Sequence, residues 1–218
     1  EATKTDTVVE IGAGRGALTD LLADRAAHLI AIEYDRALAA ILRERYASRP
    51  HVRILEADAL TVRFADVAGK DFLLVGNVPY YITTPLIFHA LEPPRPRRAL
   101  FLVQKEVADR VAASPGSSAY GALSVNVQAV ALAELVLRVS AGAFQPPPKV
   151  DSALIRLTPL EQPVVRAAEE APFREFVQSA FGMRRKQMRR VLRSILQVDA
   201  SRAEALLAPA GVDPEVRP

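Results

Sequence analysis

The sequence has 218 residues, 50% of them hydrophobic, with a formal net charge of +3 and no cysteine. This composition is enough to bury a sizeable core, and it excludes a disordered chain, disulfide bonds and a cysteine nucleophile. The histidines His28, His51 and His89 are too scattered for a helical metal-binding pair, and no apolar run is long enough to span a bilayer. We therefore expect neither a metal site nor a membrane segment.

The first half of the chain alternates short aliphatic or β-branched runs with longer helical patterns, which is typical of a parallel sheet flanked by helices. The predicted strands are 7–11, 28–33, 51–56, 71–76 and 98–103, followed by two later strands at 131–139 and 152–157. The predicted helices are 17–26, 35–47, 84–91, 104–113 and 120–130. Asp35 is expected to be the N-cap of the second helix. The pattern predicts an α/β, Rossmann-like fold with a mostly parallel, seven-stranded sheet.

The composition changes after residue 157. Residues 158–171 are rich in Pro, Glu and Ala, which indicates a linker. Apolar residues then recur at helical spacing from Phe173 to Phe181, in a helix that we expect to begin with Pro172 and to be interrupted at Gly182. The sequence thus predicts a Rossmann-like domain at 1–157, a linker at 158–171 and a small helical domain at 172–218.

A glycine-rich loop, Glu10-Ile11-Gly12-Ala13-Gly14-Arg15-Gly16, lies between the first predicted strand and helix. Glycine there lets the backbone turn tightly and approach a nucleotide cofactor. Glu33 ends the second strand about 20 residues later, where an acid meets ribose hydroxyls in this class of fold. Asp58 ends the third strand and is a candidate acceptor for the amino group of a cofactor's adenine. Because the same pattern fits dinucleotide binding, an NAD-dependent enzyme is an alternative at this point.

The fourth strand runs into Asn77-Val78-Pro79-Tyr80, which hydride transfer does not need. The Asn77 side-chain oxygen and the Val78 or Pro79 carbonyl can accept both N–H bonds of an exocyclic adenine amine, which aims its lone pair at a sulfonium methyl group. Pro79 makes the turn rigid, and Tyr80 provides a stacking face worth about 1–3 kcal/mol per base. Methylation at carbon 5 of a pyrimidine needs a cysteine adduct, which this chain cannot form. The sequence therefore predicts an S-adenosylmethionine-dependent adenine-amine methyltransferase.

The sequence resembles the small-subunit ribosomal RNA adenine dimethyltransferase family from about Val8 to Val216. The matching stretches are EIGAGRGALT (10–19), IEYD (32–35), EADAL (56–60), GNVPYYITTPL (76–86), QKEVADRV (104–111), YGALSV (120–125), AFQPPPKVDSALIRL (143–157) and AFGMRRKQMRRVL (180–192). The resemblance implies a class I methyltransferase fold with S-adenosylmethionine as cofactor. It also implies two successive methylations on each of two neighbouring adenosines, in a hairpin loop near the 3′ end of small-subunit rRNA during ribosome assembly. We expect a cytoplasmic monomer.

The resemblance also assigns roles to residues. The residues expected to contact the cofactor are Gly12, Ala13, Gly14, Glu33, Tyr34, Asp58, Ala59 and Asn77. Asn77, Pro79 and Tyr80 would frame the target base, with Phe144 as a second stacking ring opposite Tyr80; the alternative for Phe144 is a hydrophobic plug closing the sheet. The residues expected to bind RNA are Arg184, Arg185, Lys186, Arg189, Arg190 and Arg193, with Arg185, Arg189 and Arg193 aligned on one helical face.

The sequence departs from the family pattern at both ends and at two positions. Members normally begin with a G-Q-x-F-L segment that closes over the cofactor and continue past Val216 with another helix, so we expect a chain that lacks both. Val78 replaces the usual leucine of N-L-P-Y, and Ala13 replaces the proline of E-I-G-P-G. Neither exchange alters the groups on which the chemistry depends.

Two other functions fit the same residues. The macrolide-resistance methyltransferases modify an adenosine of large-subunit rRNA with the same fold and a similar N-x-P-Y/F motif. A non-catalytic ribosome-assembly or RNA-binding factor is the alternative from a different class. The stretches at 104–125 and 144–157 favour the small-subunit enzymes, and the intact site residues favour catalysis over a purely structural role.

Overall fold

A seven-stranded sheet forms the centre of the computed structural model, which describes residues 2–218. The strands are β1 (Thr7–Ile11), β2 (His28–Glu33), β3 (Val52–Glu56), β4 (Leu73–Asn77), β5 (Arg98–Gln104), β6 (Ala131–Val139) and β7 (Ser152–Pro159). Their order in the sheet is β3-β2-β1-β4-β5-β7-β6. The first five strands pair in parallel, and β7 pairs antiparallel with both β5 and β6. The prediction of a mostly parallel Rossmann-like sheet is confirmed.

The strand order reverses at β1. The chain passes from β1 outward to β2 and β3, and then returns to the other side of β1 with β4 and β5. Loops that leave the carboxyl ends of β1 and β4 therefore run in opposite directions and open a crevice between them, where ligands bind in open α/β sheets. The glycine loop and the segment that begins with Asn77 are the two loops at this reversal point.

Nine helices lie within the described residues. They are α1 (Ala17–Ala23), α2 (Arg36–Arg45), α3 (Phe64–Ala68), α4 (Thr83–Ala90), α5 (Lys105–Val111), α6 (Ala122–Gln128), α7 (Glu170–Gly182), α8 (Met188–Leu196) and α9 (Ala200–Leu207). Asp35 caps α2 as expected, because its carboxylate accepts hydrogen bonds from the backbone N–H groups of Ala37 and Leu38 at 2.8 and 3.0 Å. No helix among these is long and apolar enough to cross a membrane.

Both faces of the sheet are covered. On one face Phe72, Leu74 and Phe101 pack in the larger core. On the other face Val8 and Leu29 pack with Leu42 of α2. Strands that are buried on both faces read as continuous apolar runs, and this is why the pattern of the first half indicates parallel strands. A third, small cluster formed by Leu192, Ala203 and Leu207 holds α8 against α9.

The segment between β7 and α7 is packed against the sheet. The N–H of Leu160 donates to Val130 O at 3.0 Å and the N–H of Val164 to Ala129 O at 2.8 Å, while Val165 is buried in the larger core. Helix α7 begins at Glu170, so the expectation that Pro172 is its first residue is wrong by two positions; a proline is still tolerated there because the first turn has no intrahelical N–H partners. The helix ends at Gly182, where an interruption was expected.

Two side-chain contacts fix α7 to the region around α4. Arg95 and Glu170 form an ion pair whose side chains are both largely buried. The guanidinium of Arg174 lies 4.2 Å from the centre of the Phe88 ring, within the range of a cation–π contact. These contacts hold α7 against α4 and the segment that follows it.

Candidate active site

Backbone conformation shapes the glycine loop. Gly12 and Gly14 have φ angles of +72° and +57°, a region that residues with a side chain rarely adopt. A Cβ atom on Gly12 would lie 3.3 Å from the backbone oxygen of Asn77. The loop therefore passes directly against the end of β4, and a glycine is needed there both for its φ angle and for its close approach.

The carboxylate of Glu33 ties the glycine loop to the end of β2. One oxygen accepts a hydrogen bond from Gly14 N–H at 2.7 Å and the other from Asp35 N–H at 2.8 Å. Glu33 is 7% exposed, so these charge-assisted bonds lie in a largely buried environment. Each carboxylate oxygen can accept a further hydrogen bond. Contact with ribose hydroxyls stays a prediction, and the structure adds a loop-ordering role that the sequence did not reveal.

Side chains at the end of α2 hold the outer side of the loop. Arg45 donates to the backbone oxygen of Arg15 at 3.0 Å and to the carboxylate of Asp20 at 2.5 Å. The Tyr46 hydroxyl donates to the other oxygen of Asp20 at 2.6 Å. Burial, together with the hydrogen bond to Asp20, raises the pKa of Tyr46 to about 12, so this hydroxyl stays a donor. Sequence reasoning missed this cluster.

A buried acid lies at the start of the glycine loop. Glu10 is 1% exposed, and neither its Oε2 atom nor the Thr19 hydroxyl has a hydrogen-bond partner among the described residues. Burial raises the pKa of the Glu10 carboxyl to about 7. The nearby Thr19 hydroxyl lowers this pKa in part, whereas the negative charges of Glu33 and Asp20 raise it further. Unpaired buried polar atoms are rare and costly in folded proteins. The sequence signal was a charged residue within the buried strand TVVEI.

The other predicted cofactor residues also follow parallel strands. Tyr34 comes directly after β2 and is 77% exposed, and Ala13 is buried within the glycine loop. Asp58 and Ala59 follow β3; Asp58 is exposed and accepts a hydrogen bond from Leu60 N–H at 2.9 Å, whereas Ala59 is buried. Because β1, β2, β3 and β4 are parallel neighbours, all of these residues lie at the same edge of the sheet.

In the segment predicted to hold the target base, Val78 is buried and its two neighbours in the sequence are exposed. Asn77 is the last residue of β4, and both Asn77 and Pro79 are exposed, whereas Val78 is buried in the core. Tyr80 is half-buried, and its hydroxyl lies 2.9 Å from the hydroxyl of Ser152 at the start of β7. The structure thus leaves the amide of Asn77 accessible while it fixes the position of Tyr80.

The two ends of the loop that carries Phe144 lie next to Ser152, the hydrogen-bond partner of Tyr80. Residues 140–151 connect β6 to β7, and Phe144 is half-buried just after a 3₁₀ turn at Ala141–Ala143. The N–H of Ala141 donates to the carboxylate of Asp151 at 2.9 Å, and Asp151 immediately precedes Ser152. Tyr80 and the Phe144 loop therefore share an anchor, although the stacking of a base between the two rings stays a prediction.

The basic segment is divided by a turn. Arg184, Arg185 and Lys186 lie between α7 and α8, and only Arg189, Arg190 and Arg193 are helical. The expected alignment of Arg185 with Arg189 and Arg193 on one helix is therefore wrong, because α7 ends at Gly182 and α8 begins only at Met188. Arg189 donates to Glu204 on α9 at 2.7 Å, and this bond raises the pKa of Arg189. Arg190 and Arg193 are exposed.

The sequence profile of the ribosomal RNA adenine dimethylase family matches residues 1–215. The chain belongs to this family. Its members are S-adenosylmethionine-dependent methyltransferases, so the NAD alternative is excluded. The resemblance drawn from the sequence motifs is confirmed.

Known relatives include enzymes of both ribosomal subunits. A ribosomal RNA small subunit methyltransferase A from Hahella chejuensis is 43% identical over 218 residues, which cover 97% of this chain and 76% of the relative. The crystal structure of the 23S rRNA methyltransferase ErmE is 31% identical, with a TM-score of 0.74 over 99% of this chain and 86% of that one. A dimethyladenosine transferase from Plasmodium falciparum is 31% identical, with a TM-score of 0.76 over 88% and 69% of the two chains.

No cluster of three or more His, Cys, Asp or Glu side chains within residues 2–218 is arranged to hold a metal ion. The groups that the structure does bring together at the carboxyl edge are the glycine loop, the acids Glu10 and Glu33, and the amide of Asn77. Backbone N–H groups, carboxylates and an amide can bind a charged organic cofactor and position an amine.

Proposed function

We propose that this protein transfers methyl groups from S-adenosylmethionine to the N6 amines of two adjacent adenosines in a hairpin loop of small-subunit rRNA, and dimethylates each of them during ribosome assembly. Family membership establishes adenine dimethylation in ribosomal RNA as the enzyme class. The observation that carries the proposal is the close approach of Gly12 to the backbone of Asn77, because it brings the cofactor loop and the target-base segment together at one edge of the sheet.

The residues at β1 and β2 fit S-adenosylmethionine. The unpartnered Oε2 atom of Glu10, with the charge of Glu33 nearby, makes this part of the crevice favourable for a cationic ligand. When bound, the cofactor supplies a methyl group on a positively charged sulfur. We assign its contacts to the backbone at Gly12, Ala13 and Gly14, to the carboxylates of Glu33 and Asp58, and to Tyr34, Ala59 and Asn77.

Asn77, Pro79, Tyr80 and Phe144 are assigned to the target adenosine. The exposed Asn77 amide is free to accept an N–H bond from the adenine amine through its oxygen, which orients the nitrogen lone pair. A base must leave its stack to reach this position, and an aromatic face offsets part of that cost. The hydrogen bond between Tyr80 and Ser152 holds one such ring in place. Positioning of the amine is then the main catalytic contribution of this segment.

The sequence identity of this chain to its relatives favours the small subunit as the substrate. The small-subunit enzyme from Hahella chejuensis is 43% identical, compared with 31% for the 23S enzyme ErmE. The cations at Arg184 to Arg193 support a polyanionic partner. We further propose that the protein acts as a monomer. The proposed substrate places the reaction in the cytoplasm.

Methyl transfer to unmethylated ribosomal subunits tests the proposal. With labelled S-adenosylmethionine, we expect label to enter small subunits at two adjacent adenosines and to be absent from large subunits. Label in large subunits alone would establish the macrolide-resistance type of activity instead. Binding of small subunits without any transfer would favour a non-catalytic assembly factor.

The substitution Asn77→Ala tests the assigned chemistry. Loss of one positioned acceptor at a reacting centre costs on the order of a hundredfold to a thousandfold in rate, and loss of orientation adds to this. We therefore expect transfer to become undetectable while affinity for small subunits, measured by sedimentation or filter binding, stays within about twofold of wild type. A parallel loss of rRNA affinity would show that Asn77 holds the structure of the loop rather than the amine.

A further inference from the structure

A cavity of roughly 860 Å³ lies between the sheet and the helical region, outside the residues assigned to the cofactor and the target base. Its walls are the start of α5, the segment that leads into α6, and the end of α7 with the following turn. These walls belong to the stretches QKEVADRV, YGALSV and AFGMRRKQMRRVL, which carry the family resemblance. The first two of these stretches contain no residue assigned to the proposed reaction.

The cavity combines aromatic rings with charged groups. The rings of Tyr120 and Phe181 lie 6.3 Å apart at 66° to each other, and both side chains are half-buried. Arg110 and Arg184 line the cavity, are exposed, and form no ion pair within residues 2–218. Exposed cations beside aromatic faces are the combination that binds single-stranded nucleic acid.

Carboxylates on the same walls add hydrogen-bond acceptors. Glu106 lines the cavity, is exposed and has no ion pair within the described part of the chain, whereas Asp109 is occupied by Lys105 at 2.6 Å. An ionised carboxylate accepts hydrogen bonds only, so Glu106 can accept a hydrogen bond from an N–H donor of a base.

The cavity adjoins the position of the target base. The backbone oxygen of Asp151, which lines the cavity, accepts a hydrogen bond from Lys105 N–H at 2.9 Å. The next residue is Ser152, whose hydroxyl lies 2.9 Å from that of Tyr80. Consecutive Cα atoms are about 3.8 Å apart. Asp151 in the cavity wall is therefore the direct neighbour of Ser152, the residue that is hydrogen-bonded to Tyr80.

We infer that this cavity binds one unpaired nucleotide of the RNA, adjacent to the adenosine in the active site, with its base against Tyr120 and Phe181 and its phosphate toward Arg110 and Arg184. The cavity volume lies within the range of roughly 300–1,000 Å³ found for small-molecule sites. The inference rests on the proposed function, since it takes ribosomal RNA as the substrate. It adds a second site that holds the strand while the neighbouring base is extruded.

Substitution of Phe181 by leucine tests the stacking wall. Loss of one base–aromatic contact should raise the KM for unmethylated small subunits on the order of tenfold, while kcat and the Kd of S-adenosylmethionine stay within about twofold. Phe176→Leu is the matched control, because Phe176 lies on the same helix but packs against the cluster of α8 and α9. If both variants raise KM equally at the same thermal stability, the cavity does not bind the strand and the inference is wrong.

Photocrosslinking identifies the nucleotide directly. We would place p-benzoylphenylalanine at position 181, irradiate the full-length protein with unmethylated small subunits, and map the crosslink by primer extension. The expected result is a crosslink to a nucleotide directly adjacent to a target adenosine, which is either the other adenosine of the pair or the nucleotide that flanks the pair. A crosslink only in a distant part of the rRNA, or none, while wild type methylates the same subunits, overturns the inference and leaves the proposed function intact. Failure of wild type to methylate small subunits would instead contradict the proposed function.

Discussion

The two halves of the crevice are built differently. In the cofactor half, glycines at positive φ, the two hydrogen bonds accepted by Glu33 and the clamp from Arg45 fix the loop before any ligand arrives. In the target half, Asn77 and Pro79 are exposed, and Tyr81 is 84% exposed. The first half is held in place by its own contacts, whereas the second is exposed.

This difference fits the two ligands proposed above. A small cofactor gains affinity when its site needs no rearrangement, because no ordering cost is then subtracted from the contacts. A base extruded from rRNA arrives with a large, charged partner that supplies its own contacts, and an open rim allows that approach.

The largest effect is expected at Gly12. In Gly12→Ala the positive φ angle costs about 1–2 kcal/mol, and the new Cβ also presses on the Asn77 backbone at 3.3 Å. We expect affinity for S-adenosylmethionine, measured by calorimetry, to fall on the order of a hundredfold, because the loop and the end of β4 must separate.

Gly116→Ala is the control for Gly12→Ala. Its φ angle of +83° imposes similar strain, but a Cβ there meets nothing within 4 Å. Thermal unfolding should therefore show a comparable loss of stability with unchanged cofactor affinity. Equal cofactor affinity in both variants would contradict the view that the two halves meet at Gly12.

A smaller effect is expected from Glu10→Gln. The folded-state pKa of Glu10 is raised from 4.5 to about 7, so the native protein binds more protons than the unfolded chain between these values. The free energy of unfolding therefore falls by about 3 kcal/mol in total as the pH rises through this window, and Glu10 causes no further change above it. The neutral variant should be more stable than wild type at pH 8 and similar at pH 4, with cofactor affinity reduced on the order of tenfold.

Thermal melts across the pH range, with calorimetry at pH 8, measure both effects of Glu10→Gln. Glu44→Gln neutralises an exposed carboxylate on α2 and should leave the profile of wild type unchanged. A stability difference between Glu10→Gln and wild type that does not vary with pH would mean that Glu10 does not carry an unfavourable buried charge.

The smallest effect is expected from Tyr80→Phe. The ring is kept and only the hydrogen bond to Ser152 is lost, which costs about 0.5–1.5 kcal/mol of stability. The rate of methyl transfer should fall only a few-fold, since the stacking face remains. A double-mutant cycle with Ser152→Ala, followed by chemical denaturation, measures the coupling directly. A coupling energy of zero would show that the hydrogen bond to Ser152 does not hold Tyr80 in place.

Much of the crevice was predictable because its signals are local. The glycine loop, the capping Asp35 and the segment from Asn77 to Tyr80 all depend on residue types that impose a backbone conformation within a few positions. The short helix α3 was missed because five residues are too few to show a helical period. Its only buried residue is Phe64.

The contacts that complete the site were not predictable for a different reason. Asp20 and Tyr46 are 26 residues apart, and Tyr80 and Ser152 are 72 apart, so no local pattern marks either pair. The same holds for Arg189 and Glu204, whose pairing shows that one cation of the basic segment is engaged within the helical region. A run of cations in a sequence does not reveal which of them a neighbouring helix will use.

The antiparallel direction of β7 determines where the loop between β6 and β7 emerges. Because it runs against β5, the turn that links it to β6 emerges at the same edge as the loops of the parallel strands. Residues 140–151, with Phe144, thus form a hairpin tip at this edge, and its two ends are fixed by the pairing of Val139 with Ser152. A change in the length or sequence of residues 140–151 therefore need not shift any strand of the sheet, so this loop can vary while the fold stays the same.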